Sequence, residues 1–126
     1  MKPKYELVIQ RSNGKKAKAY FLAAAGLPQK SRKLQGLRKF ANITLKRGYT
    51  VGRSLYDWHQ RKAKTKGKGS KASIYLLAES GARISYWNLN AWPSKYQGPS
   101  FSGKGNDVAV EELQLRGEGI EREDLD

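Results

Sequence analysis

The stretch that most constrains the fold is residues 40–60, FANITLKRGYTVGRSLYDWHQ, in which a strand pattern gives way to a helix pattern. Ile43 and Leu45 are two residues apart and therefore share one face of a strand. Leu55 and Trp58 are three residues apart and therefore meet on one face of a short helix. A strand that leads directly into one short amphipathic helix predicts a β-sheet with a helix packed against it.

Alternating apolar residues predict further strands on both sides of this stretch. The predicted strands cover residues 4–10, 18–25, 40–47, 72–78, 82–90 and 107–116. In the last of them the alternation slips once, which predicts a bulge near Glu111 and Glu112. Trp92-Pro93 is expected to interrupt the sheet, because proline has no backbone N–H to donate. The pattern predicts a mainly β fold: one domain over residues 1–126, an antiparallel sandwich or barrel of six to seven strands with one short flanking helix.

Charge is unevenly distributed along the chain. The chain has 25 basic and 11 acidic residues, a net charge of +14, and residues 1–104 hold 23 of the basic residues but only three of the acidic ones. Two basic segments, residues 29–39 and 61–71, are predicted to be loops, and the acidic tail, residues 117–126, is predicted to fray or to dock on a partner. Such a chain is expected either to bind an acidic partner or to pair its basic body with the acidic ends of neighbouring copies.

Few residues suit catalysis or metal binding. There is no cysteine, and His59 is the single histidine, so neither a metal site nor a cofactor is expected. No serine lies in a nucleophile elbow, and the glycines of residues 66–71 lack the spacing of a phosphate-binding loop. The chain is therefore not expected to be an enzyme. No run approaches the ~20 apolar residues of a membrane span, so no membrane insertion is predicted either.

Four sequence blocks, in order, resemble one known family, the tail tube proteins of contractile phage tails and related contractile injection systems. The blocks are KLQGLRKF at residues 33–40, ITLKRG at 43–48, WNLNAWPSKYQGP at 87–99 and NDVAVEELQLRGEGIE at 106–121. The first carries Gln35 where the family usually has proline. The resemblance extends over most of the chain from residue 33 to residue 121.

The resemblance implies a structural subunit of the inner tail tube, in which six copies form a ring and rings stack around a hollow channel for cargo or DNA. The implied partners are other copies of the chain, sheath proteins and baseplate or spike proteins, with acidic cargo or DNA in the channel. The implied location is a virion tail or an injection particle assembled in the bacterial cytoplasm. The candidates for contacts between subunits are residues of the resembling blocks and the acidic tail: Lys33, Leu34, Leu37, Arg38, Lys39, Lys46, Arg47, Trp92, Lys95, Glu111, Glu118 and Glu121.

A second interpretation of the charge is a small basic β-barrel that binds nucleic acid. Lysines beside Trp58, Trp87 and Trp92 could form stacking platforms for bases. The competing role for these tryptophans is in the core or in an interface, and this is favoured for Trp58, which lies on the predicted buried face of the helix. The nucleic-acid hypothesis accounts for the charge but not for the ordered blocks at residues 87–99 and 106–121.

Overall fold

Six strands and one helix make up the part of the chain that the computed structural model describes, which is residues 2–11, 14–27, 40–50, 54–64, 69–98 and 109–125. The predicted basic loop at residues 29–39 lies outside these ranges. In chain order the elements are β1 (Tyr5–Gln10), β2 (Lys16–Ala25), β3 (Phe40–Thr50), α1 (Ser54–Lys64), β4 (Ser70–Leu77), β5 (Arg83–Gln97) and β6 (Ala109–Asp124).

The strands close into an antiparallel barrel in the order β1-β2-β3-β6-β5-β4. Every neighbouring pair is antiparallel, and β1, which pairs with both β2 and β4, closes the barrel. The predicted mainly β fold with one short helix is confirmed, as a six-stranded barrel. We call the end at which β3 leads into α1 the helix end, and the opposite end, where both described chain ends lie, the termini end.

Apolar side chains of alternate strand residues fill the barrel. Ile43 and Leu45 are fully buried there, as predicted, and lie opposite Leu115 and Leu113 of β6. Gly48 packs directly against β2, and a β-carbon at this position would collide with the carbonyl oxygen of Tyr20 and with the ring of Phe21. The remaining fully buried large side chains are Leu7, Ile9, Phe21, Leu55, Ile74, Val110 and Ile120.

The helix lies across the helix end of the barrel. α1 packs against β2 and β5, which are three strands apart on either path around a six-stranded barrel and so lie on opposite walls. Leu55 and Trp58 are buried, which confirms the predicted buried face. The helix runs to Lys64, and β4 already begins at Ser70, so the predicted loop at residues 61–71 is wrong for both of its ends. The packing of α1 against β2 and β5 accounts for the longer helix, because tertiary contacts stabilise a helix whose local sequence pattern is weak.

The strand β5 continues through Trp92 and Pro93, where an interruption was expected. β4 begins opposite Ala91, so beyond that residue β6 is the only strand beside β5 within the described residues. The register with β6 shifts between Pro93 and Lys95, which places a bulge there. Edges and bulges are the two places where a sheet tolerates proline.

The strand β6 is longer than predicted and includes most of the acidic tail. It runs to Asp124, so the prediction that the acidic tail frays is wrong for residues 117–124. Ile120 is fully buried and anchors this half of the strand. The burial of both Val110 and Leu113 confirms the predicted slip in alternation, but no register shift accompanies it, so the bulge predicted near Glu111 and Glu112 is wrong. β3 makes the matching slip at Arg47, whose φ is 55°, so the two strands stay in step.

Candidate assembly surfaces

Two of the predicted contact residues meet on one carboxylate at the outer face of the barrel. The Lys46 Nζ lies 3.7 Å from Glu112 Oε1, and the Lys95 Nζ lies 3.2 Å from Glu112 Oε2. Gln114 donates a further hydrogen bond, at 2.9 Å, to Glu112 Oε2. The hydrogen bond from Lys95, with that from Gln114, lowers the pKa of Glu112 below its ordinary value. This cluster joins β3, β5 and β6 within one copy.

Arg47 and Glu111 lie one step further toward the helix end. Lys46 pairs with Glu112 and Gly48 with Val110, so Arg47 and Glu111 are the residues between these pairs on β3 and β6. Both side chains are exposed. They remain candidates for contacts with another copy.

Glu118 and Glu121 are brought to the same outer face by a bulge. Asn88 pairs with Glu121 and Asn90 with Glu118, so β6 has one more residue than β5 in this interval. Gly119, with a φ of 65°, takes the left-handed conformation that such a bulge uses and that glycine adopts without strain. The extra residue allows Ile120 to point into the core while both glutamates stay outside.

The other predicted contact residues divide into one that packs within the chain and five that the structure does not describe. Trp92 is half-buried, and its ring lies 2.9 Å from the position that a β-carbon on Gly69 would take. Gly69 therefore gives Trp92 room beside the start of β4. Lys33, Leu34, Leu37, Arg38 and Lys39 lie outside the described residues.

A row of tyrosines and glutamates crosses the outer face, with one residue from each of the six strands in direct register. The tyrosine rings on β2 and β3 stack at 5.3 Å between centroids, and those on β4 and β5 contact each other at 5.7 Å. At the far end of the row the β5 tyrosine hydroxyl donates a 2.6 Å hydrogen bond to the β6 carboxylate. In strand-neighbour order the row is Tyr49, Tyr20, Glu6, Tyr75, Tyr86 and Glu123.

Glu6 is the buried centre of this row. Its carboxylate accepts a 3.0 Å hydrogen bond from Arg83 Nε and a 3.2 Å hydrogen bond from the Tyr20 hydroxyl. The Arg83 guanidinium in turn lies 3.8 Å from the centroid of the Tyr75 ring. Burial, reinforced by the Glu6 carboxylate, raises the pKa of Tyr20. The row thus links the strands to one another across the outer surface of the barrel.

An open groove of about 670 Å³ lies beside the tyrosine row, toward the helix end. Its polar lining includes Gln10, Ser73 and Asn88, and Ser73 donates a 2.7 Å hydrogen bond to the Asn88 side-chain oxygen. Lys16 lines one side of the groove and Glu118 the other. The groove therefore has a basic and an acidic border.

The helix end is held by one buried polar contact and several aromatic ones. Trp58 Nε1 donates a 2.8 Å hydrogen bond to Ser70 Oγ, and both residues are buried. The His59 ring lies 5.5 Å from that of Tyr96, and its Nδ1 is buried without a hydrogen-bond partner among the described residues. Burial lowers the pKa of His59 below its ordinary value of 6.5.

No reactive centre emerges from the described ranges. They hold no cluster of three or more histidine, cysteine, aspartate or glutamate residues that could bind a metal ion. Nor does this part of the chain include a helix long and apolar enough to cross a membrane. What these ranges present is a closed barrel with charged residues on its outer surface.

Comparison with known families assigns the chain to a protein family. The family model described as the T4-like virus tail tube protein gp19 matches residues 9–121. The chain therefore belongs to the T4-like tail tube protein family, and the resemblance found in the sequence blocks is confirmed. The family is one of structural tube proteins.

Similar solved structures share the fold. The sheath–tube complex of an extracellular contractile injection system (PVC) in the extended state contains a chain with 21% identity and a TM-score of 0.58, and the match covers 97% of this chain and 89% of that one. A chain of the PVC sheath/tube terminator gives 22% identity and a TM-score of 0.56, covering 95% and 93%. A chain of the anti-feeding prophage (AFP) baseplate gives 15% identity and a TM-score of 0.60, covering 98% and 95%. A search of curated proteins gave no match.

Two parts of the surface were missed in the sequence. Glu112, rather than Glu111, holds Lys46 and Lys95, and the slip in β6 alternation is the signal that distinguishes the two glutamates. The tyrosine row was missed because it depends on the register of six strands, which no local pattern contains. Glu6, alone among apolar neighbours in the first strand, was its one visible sign.

Proposed function

We propose that this chain is the subunit of the inner tube of a contractile phage tail or injection particle, with one domain per copy, six copies per ring and rings stacked around a hollow channel. The observation that carries the proposal is the family match over residues 9–121. The partners we propose are further copies of the chain, a surrounding sheath and a baseplate or spike. The proposed location is the virion tail or injection particle, assembled in the bacterial cytoplasm.

Two strands that extend beyond a neighbouring strand support ring formation. β4 begins opposite Ala91, which leaves one side of β5 without a described strand from Trp92 to Gln97. β3 begins opposite Glu118, which leaves one side of β6 without a described strand from Gly119 to Asp124. Open sheet edges pair readily with other chains, so a ring of copies is one way to cover them.

The distribution of charge over the two ends of the barrel supports stacking. Arg61 lies on α1 and Lys71 is the second residue of β4, so both basic residues are at the helix end. Glu121, Glu123 and Asp124 lie in the last part of β6, which runs toward the termini end. We propose that basic residues of one ring meet acidic residues of the next or of an acidic sheath. Where lysines line the channel, acidic cargo or DNA supplies the counter-charge.

The nucleic-acid-binding alternative rests on the net charge of +14 but loses much of its aromatic support. Trp58 and Trp87 are only 2% and 3% exposed, so neither offers a face to a base. Trp92 is half-buried beside Gly69. Without the tryptophans as stacking platforms, this alternative rests mainly on electrostatic attraction to phosphates.

Negative-stain electron microscopy and sedimentation velocity of the purified chain test the proposal together. We expect rings or tubes whose length falls as NaCl is raised toward 1 M, where the screening length is ~3 Å. A matched series with sucrose at equal osmolality separates screening from osmotic effects. A single copy at every concentration and ionic strength would contradict the tube. Such a monomer that shifted an oligonucleotide in a salt-dependent manner would favour the alternative.

A further inference from the structure

The outer face of five consecutive strands, β2-β1-β4-β5-β6, carries opposite charges at its two edges. One row of this face consists of residues in direct register: Lys18, Val8, Ser73, Asn88 and Glu121. The row therefore begins with a lysine on β2 and ends with a glutamate on β6.

The next row toward the helix end repeats this arrangement. Lys16 pairs with Gln10 at the β2 side, and Lys71 pairs with Asn90, which pairs with Glu118 at the β6 side. Ala17 and Ala19 are fully buried, so the lysines between and beside them point outward. We call Lys16 and Lys18 the basic edge, and Glu118, Glu121 and Glu123 the acidic edge.

The two edges do not neutralise each other across the sheet within one copy. Four strand spacings separate β2 from β6 on this path, which is ~19 Å at the usual 4.8 Å per strand. The screening length at physiological ionic strength is ~8 Å. Of the ion pairs between described residues, none joins a lysine of the basic edge to a glutamate of the acidic edge. The two edges are therefore not paired with each other within one copy.

Both edges also lie beyond the reach of β3, the strand that separates β2 from β6 on the other path around the barrel. The pairing of β3 with β2 ends at Ala19 opposite Thr50, one residue past the basic edge. The pairing of β3 with β6 ends at Glu118 opposite Phe40, where the acidic edge begins. β3 therefore pairs neither with Lys16 and Lys18 of β2 nor with residues 119–124 of β6.

We propose that the acidic edge of one copy docks against the basic edge of the next copy, with Glu118, Glu121 and Glu123 facing Lys16 and Lys18. The proposal rests on the tube function above and names residues that would meet between copies in such a tube. Because the two patches differ and lie on different strands, the contact is heterologous, and repeating it leads to a closed ring or a helical array. Complementary charge sets the register and rejects the reversed pairing, in which like charges would face each other.

Charge reversal at each edge tests this contact. The variant K16E/K18E makes both edges acidic, and E118K/E121K makes both edges basic. Each variant alone is expected to raise the protein concentration required for half-assembly at 150 mM NaCl by about tenfold or more, because like charges then face each other. Mixed in equal amounts, the two variants are expected to co-assemble with alternating copies, because each supplies the edge that the other lacks. The quadruple variant is expected to assemble alone.

The control K2E/K4E makes the same change in net charge as K16E/K18E, at two exposed residues outside both edges. Thermal melting followed by circular dichroism verifies that each variant is folded, and sedimentation velocity measures assembly. Loss in each edge variant, recovery in the mixture and little change in the control support the contact. Assembly of the wild type with equal behaviour of edge variants and control would overturn the contact and leave the tube proposal standing. A wild type that never assembles would overturn both.

Discussion

The buried hydrogen bond from Trp58 Nε1 to Ser70 Oγ is predicted to hold α1 across the end of the barrel, and a double-mutant cycle can measure it. The donor and acceptor are 2.8 Å apart, Trp58 is 2% exposed and Ser70 is 8% exposed. The bond joins the middle of the helix to the first residue of β4. The changes required are Trp58→Phe, Ser70→Ala and the two together.

The magnitudes follow from burial. Trp58→Phe leaves the Ser70 hydroxyl buried without its donor, which costs about 1–3 kcal/mol. The smaller ring also leaves a gap against the barrel, which adds about 1 kcal/mol. Ser70→Ala leaves the indole N–H unpaired and costs about 1–2 kcal/mol. In the double variant neither group is left unpaired, so its loss is expected to be smaller than the sum of the single losses by about 1 kcal/mol.

Urea unfolding followed by far-UV circular dichroism, at a protein concentration at which sedimentation finds a single copy, gives the four free energies of unfolding. Ser73→Ala is the matched control, because the Ser73 hydroxyl bonds Asn88 in an exposed position. Its loss is expected to stay below about 0.5 kcal/mol. Additive losses for Trp58 and Ser70, within about 0.3 kcal/mol, would refute the idea that this bond fixes the helix.

Two other predictions concern packing and protonation. Gly48→Ala is expected to lower the free energy of unfolding by about 2–3 kcal/mol, because the new methyl would meet the Tyr20 carbonyl oxygen and the ring of Phe21 at once, whereas Gly98→Ala should be nearly neutral; equal urea midpoints for the two variants would contradict this. His59 contributes stability above its ordinary pKa of 6.5, which is lost as pH falls through its lower folded pKa, so the wild type should lose more stability than His59→Gln between pH 8 and pH 5 in urea titrations. Parallel pH profiles would contradict that expectation.

Periodicity predicted the elements whose faces differ sharply in polarity. Ile43 and Leu45 in β3, and Leu55 and Trp58 in α1, lie on the predicted buried faces. Each of these pairs has polar neighbours at the positions that point the other way, so the local pattern admits one orientation. The predicted division between the fourth and fifth strands is likewise found, because β4 ends at Leu77 and β5 begins at Arg83.

Both of the longest strands were predicted, but their C-terminal extensions were missed because the local pattern there contradicts the environment. β5 contains Trp92-Pro93, which is a break signal in a central strand but is compatible with an edge beyond the reach of β4. β6 ends in a run of acidic residues whose sequence resembles a frayed tail. Among the described residues of that run, Ile120 is the only large apolar side chain that is buried. Whether a strand is central or at an edge depends on its neighbours, and the sequence alone does not contain that information.

Contact residues were harder to predict than elements. Lys46 and Lys95 were selected from the tail-tube blocks, and in the structure both bind Glu112 of the same copy. Their proximity could not be foreseen, because it requires the register of β3 and of β5 against β6. The role of these residues between copies remains a prediction, and so does that of Arg47 and Glu111.

The placement of the acidic residues in a strand changes what the uneven charge can do. A frayed tail would present its carboxylates in many orientations and would attract basic surfaces without defining a geometry. The bulge at Gly119 and the burial of Ile120 instead hold Glu118 and Glu121 on one face of a rigid strand. A charge with a fixed direction can determine which neighbour docks and in which orientation, and the proposed ring would require that property.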